Sequence, residues 1–149
     1  MDETLTKIIL TPEAMALEAQ AFIELLPVET EGATLVTLSG DLGAGKTTFT
    51  QSVAAALGVG DIVNSPTFVI EKVYNIPEGK KFQRLIHIDA YRLTSNGELT
   101  ALGFGELMSH PGNLIMLEWP ENVSGISEHA SVKILLESLD DGSRQITYA

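Results

Sequence analysis

The chain has 149 residues and carries nine basic against twenty acidic side chains, a net charge of −11. It has no cysteine, which excludes disulfides, cysteine-ligated zinc and thiolate catalysis, and its three scattered histidines (His87, His110, His129) argue against a histidine-built metal site. The first forty-five residues hold one basic side chain, Lys7, so a nucleic-acid-binding surface of the chain's own is disfavoured and the acidity reads as solubility. The length suits a single domain over residues 1–149, and a hydrophobic content of 44% is enough for an ordinary core. Met1-Asp2-Glu3 is acidic where a signal peptide would be positive. No apolar run approaches the roughly 20 residues needed to span a bilayer. The expectation is therefore a cytoplasmic chain with no membrane association.

Leu5 to Leu10 reads as a short strand. Thr11-Pro12-Glu13 then has the chemistry of a helix start: a capping hydroxyl, a proline at the first helical position, and an acid at the positive dipole end. Met15, Ala19, Phe22, Ile23 and Leu26 recur at helical spacing, and Pro27 stops the run. Thr34 to Ser39 is a compact β-branched and leucine segment between Gly32 and Gly40, the pattern of a buried strand. A helix is predicted from Lys46 to Leu57, closed by Gly58. Thr67 to Ile76 and Phe82 to Ala90 are predicted as strands of an antiparallel hairpin across residues 77–81. Ser95 to Leu102 reads as a short helix with Ser95 and Glu98 forming a capping box. Asn113 to Trp119 is another buried strand, and Ser131 to Ser138 and Ser143 to Tyr148 form a closing hairpin across Asp140-Asp141-Gly142. The fold expected is α/β: a P-loop NTPase-like three-layer sandwich with a mixed central β-sheet flanked by helices.

Gly40-Asp41-Leu42-Gly43-Ala44-Gly45-Lys46-Thr47 matches G-x-x-x-x-G-K-[ST] in full, between a predicted strand and a predicted helix. Glycines let successive backbone N–H groups curl around phosphate oxygens, and the helix N-terminus favours the same anion. Lys46 is expected at the β- and γ-phosphates and the Thr47 hydroxyl on Mg²⁺, with ATP or a close relative as the ligand. Such a site needs acids at the ends of neighbouring strands. Leu114-Ile115-Met116-Leu117 runs into Glu118, and Leu85-Ile86-His87-Ile88 runs into Asp89. Both are candidates for holding Mg²⁺ or activating water, with the division of roles open. Thr67, in Asn64-Ser65-Pro66-Thr67-Phe68, lies where nucleotide switch loops occur, although Ser-Pro is also an ordinary turn dipeptide. His87 should point away from the face of Ile86 and Ile88. Arg92 reads more readily as a surface cation than as a catalytic one, and Trp119 as core filling more readily than as a cover for the site.

Four motifs follow one another in order: the run from Gly40 to Thr48, Ser65-Pro66-Thr67-Phe68, His87-Ile88-Asp89-Ala90-Tyr91-Arg92-Leu93, and Leu117-Glu118-Trp119. Together they resemble the TsaE (YjeE) family of bacterial P-loop ATPases. The resemblance implies a supporting role in forming threonylcarbamoyladenosine on tRNAs that read codons starting with adenine. It implies a TsaD–TsaB heterodimer as partner, with tRNA met only indirectly. Lys46, Thr47 and Thr48 would serve phosphate and Mg²⁺, Thr67 the switch loop, and Asp89 and Glu118 the metal and the attacking water. Trp119 and the region around the first helix would lie near the nucleotide. Ala90 stands where the family often has leucine, at a position that should alternate away from Asp89.

Other readings use the same loop. A small-molecule kinase would carry a lid rich in arginine, and this chain has only Arg84, Arg92 and Arg144. A GTPase would carry Asn-Lys-x-Asp, which is absent. A nucleotide-gated binding module with little turnover shares every feature of a slow ATPase.

Overall fold

The computed structural model describes residues 4–60 and 71–149. Within them, seven strands form one sheet: β1 (Leu5–Ile9), β2 (Thr34–Ser39), β3 (Glu71–Asn75), β4 (Arg84–Asp89), β5 (Asn113–Glu118), β6 (Val132–Ser138) and β7 (Arg144–Tyr148). Their order is β1-β7-β6-β2-β5-β4-β3. The four central strands, β6, β2, β5 and β4, run parallel, and antiparallel pairs extend the sheet at both edges. A parallel centre must be covered on both faces, which is why β2 and β5 are apolar and buried almost throughout.

Helices α1 (Pro12–Leu25) and α2 (Lys46–Ala56) cover one face, against Val36, Leu38, Leu114 and Met116. Helices α3 (Asn96–Ala101) and α4 (Phe104–Met108) lie on the other, where Leu99 is buried and Leu102, Phe104 and Leu107 pack on Leu35, Ile86, Ile88 and Ile115. The three-layer α/β sandwich read from the sequence is the fold observed. Among the described residues, no helix is long and apolar enough to cross a membrane.

Local chemistry explains the boundaries. Thr11 Oγ1 accepts the Ala14 N–H at 3.0 Å to cap α1, and Pro12 occupies its first turn. The far end of α1 has no basic residue of its own. Lys81, from the β3–β4 turn, donates instead to the carbonyls of Ile23 (2.7 Å) and Glu24 (3.1 Å). Helix α2 closes as the sequence suggests: Gly58, at φ 81°, donates to Ala55 O, and Val59 donates to Ala54 O, a Schellman arrangement.

Three details depart from expectation. The capping box of α3 is displaced by one residue: Ser95 makes no side-chain cap, and Glu98 accepts from both the N–H and the hydroxyl of Thr94. Helix α4 is absent from the pattern reading, because five residues between Gly103 and Ser109 are too few to display a period. Strand β5 stops at Glu118, since Trp119 takes a left-handed conformation (φ 62°, ψ 52°) before the short 3₁₀ turn Pro120–Asn122.

Phe49 on α2 is fully buried, with its ring edge-on to Phe22 of α1 at 5.5 Å, and Phe22 stacks on Tyr148 of β7 at 5.6 Å. Phe49→Ala is expected to destabilise the protein by about 3–5 kcal/mol, through lost burial and the cavity left between α1 and α2. Chemical denaturation would check this, and a loss under ~1 kcal/mol would show that the helices close over the gap.

Candidate functional site

A cavity of about 590 Å³ opens at the C-terminal ends of β2, β4 and β5. Its lining includes Gly45, Lys46, Thr47, Asp89, Glu118 and Trp119, the apolar residues Ile9, Leu10, Pro12 and Met15, and Gly142 and Arg144 from the last hairpin.

The loop leaves β2 and feeds α2 through three glycines in the left-handed region, Gly40 (φ 142°), Gly43 (φ 80°) and Gly45 (φ 108°). At Gly40 the space is as restrictive as the dihedral: an added Cβ would sit 2.2 Å from the carbonyl oxygen of Leu136 on β6. Lys46 folds back over the loop. Its Nζ donates to the carbonyl of Gly40 and, at 2.9 Å, to that of Asp41, and it lies 4.2 Å from the centre of the Trp119 ring. Burial pushes the Lys46 pKa below its ordinary value, while Glu118 and then Glu121, Asp89 and Asp41 oppose that shift.

Register places the acids. Strands β4 and β5 pair with Asp89 opposite Glu118, so two carboxylates, each under 5% exposed, stand side by side beneath the start of α2. Thr47 Oγ1 donates to Glu118 Oε2 at 3.1 Å. Asp89 Oδ1 accepts the Tyr91 N–H at 2.9 Å. Backbone bonds from Ala90 N to Glu118 O and from Trp119 N to Leu38 O hold these strand ends together. Asn122 Nδ2 ties the following turn to the carbonyls of Ala90 and Tyr91.

The structure thus brings Lys46, Thr47, Asp89, Glu118 and Trp119 together in the lining of one cavity. Leu42, Gly43 and Thr48 also line it, whereas Ala44 is buried and the carbonyls of Gly40 and Asp41 serve Lys46. Thr67 lies outside the described residues. Trp119 does two jobs at once, packing on the second core face and lining the cavity, with Tyr91 at 5.0 Å. Arg92 is exposed and away from the cavity lining.

Two residues gain a place that the sequence reading did not give them. Arg144 lines the cavity, its Nε 3.6 Å from where a Cβ on Gly45 would lie. His87, on the α2 face as its alternation with Ile86 and Ile88 requires, is fully buried with Nε2 2.6 Å from Glu118 Oε2. The His87 contact follows from the register of β4 with β5, so the motif that begins at His87 names the residue but not its partner, and the approach of Arg144 to the loop joins segments distant in sequence.

A parallel strand, a glycine loop on the N-terminus of the next helix, and acids closing the adjacent strands define a nucleotide-binding P-loop protein of the α/β class. The family model described as "Threonylcarbamoyl adenosine biosynthesis protein TsaE" matches residues 11–146, and the chain belongs to that family. It is 36% identical over 134 residues to the tRNA threonylcarbamoyladenosine biosynthesis protein TsaE of Bacillus subtilis, covering 88% of this chain and 78% of the relative. It is 36% identical over 140 residues to the protein of the same name from Haemophilus influenzae, covering 93% and 85%. A crystal structure of Bacillus subtilis YdiB superposes with a TM-score of 0.72 at 30% identity, over 99% of this chain and 86% of that one.

Proposed function

We propose that the protein binds ATP with Mg²⁺ in the P-loop cavity and hydrolyses it in support of a TsaD–TsaB heterodimer that forms threonylcarbamoyladenosine on tRNA. The observation that carries this reading is the convergence of Lys46, Thr47, Asp89 and Glu118 on one cavity that also has an apolar lining. The apolar wall of Ile9, Leu10, Pro12 and Met15 suits a nucleobase, and the loop's N–H groups suit phosphate.

The donor set fits a hard cation. Among the described residues no cluster of three or more His, Cys, Asp or Glu side chains could cage a metal by itself. One hydroxyl and two carboxylates are what Mg²⁺ takes when nucleotide phosphates supply the rest. Thr47, Glu118 and Asp89 are the residues that would hold it or its waters. Bound there, the ion would neutralise charge on the β- and γ-phosphates.

The chain's own groups then act as follows. Lys46 exchanges two neutral carbonyl acceptors for phosphate oxygens, a stronger charge-assisted bond. Glu118, already in contact with the Thr47 hydroxyl, belongs to the metal side of the site. Asp89 is the carboxylate left to orient water for in-line attack on the γ-phosphate and to take its proton.

ATP turnover measured with and without the TsaD–TsaB heterodimer, with Lys46→Ala as the blank, tests the reading. A slow, Lys46-dependent rate that rises with partners is expected. A rate indifferent to partners would remove the client and leave a P-loop ATPase. Nucleotide binding with no turnover in either mixture would favour a nucleotide-gated binding module.

A further inference from the structure

We propose that His87 is a positioning residue for Glu118, fixing which carboxylate oxygen faces Mg²⁺ and its waters. The proposal rests on the reading of Glu118 given above. His87 is fully buried two residues before Asp89, opposite Met116, on the same face of β4. Its Nε2 lies 2.6 Å from Glu118 Oε2, while its Nδ1 is buried with no hydrogen-bond partner among the described residues. The tautomer that fits carries its proton on Nε2 and donates it to the carboxylate.

That single bond is informative in both directions. A buried ring nitrogen without a partner costs free energy, so stability alone would favour an apolar residue at this position. What the imidazole supplies is a second donor on Oε2, beside the Thr47 hydroxyl at 3.1 Å. With Oε2 held from two sides, Oε1 has among the described residues only a 3.5 Å contact with Thr47, which leaves its lone pairs for the cation's shell. Hydrogen bonds of this kind set the orientation of metal-binding groups, and their loss typically lowers affinity or activity by about 10–100-fold.

The test compares His87→Leu, His87→Gln, His87→Asn and Glu118→Gln. Binding is read from the fluorescence of Trp119, the only tryptophan. In His87→Leu, kcat is expected to fall about 10–100-fold, and the Mg²⁺ concentration that half-saturates ATP binding to rise by a similar factor. ADP affinity without Mg²⁺ should stay within about 2-fold of the parent, a split that a merely structural histidine would not produce. The glutamine amide can reach the place of Nε2 and should restore most of both quantities, whereas asparagine is too short and should resemble leucine.

If Glu118→Gln is impaired while His87→Leu keeps the parent's kcat and Mg²⁺ requirement, the positioning role is overturned. If Glu118→Gln itself behaves as the parent, the reading of Glu118 falls, and the role of His87 with it. Should the leucine variant fail to unfold cooperatively, glutamine and asparagine decide: a working glutamine beside an impaired asparagine supports the proposal, and equal behaviour overturns it.

Discussion

Lys46→Ala is expected to lower ATP turnover by about 10²–10³-fold, the scale of removing one preorganised donor aimed at developing charge. The side chain is nearly buried at the closed end of the loop, and its two hydrogen bonds go to carbonyls of the loop itself. Among the described residues no second lysine lines the cavity, and Arg144, which does line it, donates to the carbonyls of Gly142 and Ser143. Little is therefore placed to substitute for Lys46 at the phosphates. The ammonium group also rests 4.2 Å from the Trp119 ring, so the variant should start from a different emission and show a smaller change on titration with nucleotide. Steady-state turnover and fluorescence titration on the same preparation check both parts. Turnover within about 10-fold of the parent would place the phosphate-binding cation elsewhere.

Gly40→Ala is expected to be the most damaging small substitution in the loop, costing about 2–5 kcal/mol of stability from left-handed strain and overpacking together. Its added methyl would meet the Leu136 carbonyl, a backbone atom of a central parallel strand that cannot turn aside as a flexible side chain can. The loop would have to lift, moving the Gly40 carbonyl away from Lys46 and opening the phosphate cradle. Gly43→Ala is the milder counterpart: its φ of 80° lies nearer the left-handed well than the 142° of Gly40, and no described residue comes within 4 Å of the new methyl, so only strain of about 1–2 kcal/mol applies. Thermal unfolding and ADP titration of the pair separate the two contributions. Equal shifts in both variants would mean that the contact with Leu136 relaxes freely.

How much of this was legible in the sequence depended on how local each cause is. The glycine loop, the Thr11 cap of α1 and the Gly58 termination of α2 are written in runs of a few residues, and each formed as read. The pairing of Asp89 with Glu118 could be guessed, because each acid closes an apolar run of similar length. The His87 contact could not, since it depends on the register of two parallel strands whose contacting residues are 31 positions apart. The apolar wall was legible only as a region: the family resemblance put the segment around the first helix near the nucleotide, but Ile9, Leu10, Pro12 and Met15 carry no motif that singles them out. The displaced cap at Thr94 shows the opposite limit. Two adjacent hydroxyl residues, Thr94 and Ser95, offered Glu98 equivalent chemistry, and only backbone geometry chose between them.

The pairing of β1 with β7 sets a timetable for the molecule as it is made. Leu5 lies against Tyr148 and Ile9 against Arg144, so β1, made before β7, waits for it before that edge is satisfied. The loop, α2 and the central strands can assemble from what has already emerged, but the wall that would receive a nucleobase stays incomplete until β7 has followed. A nascent chain is thus a scaffold without its full pocket, and competence to hold a nucleotide arrives in one late step.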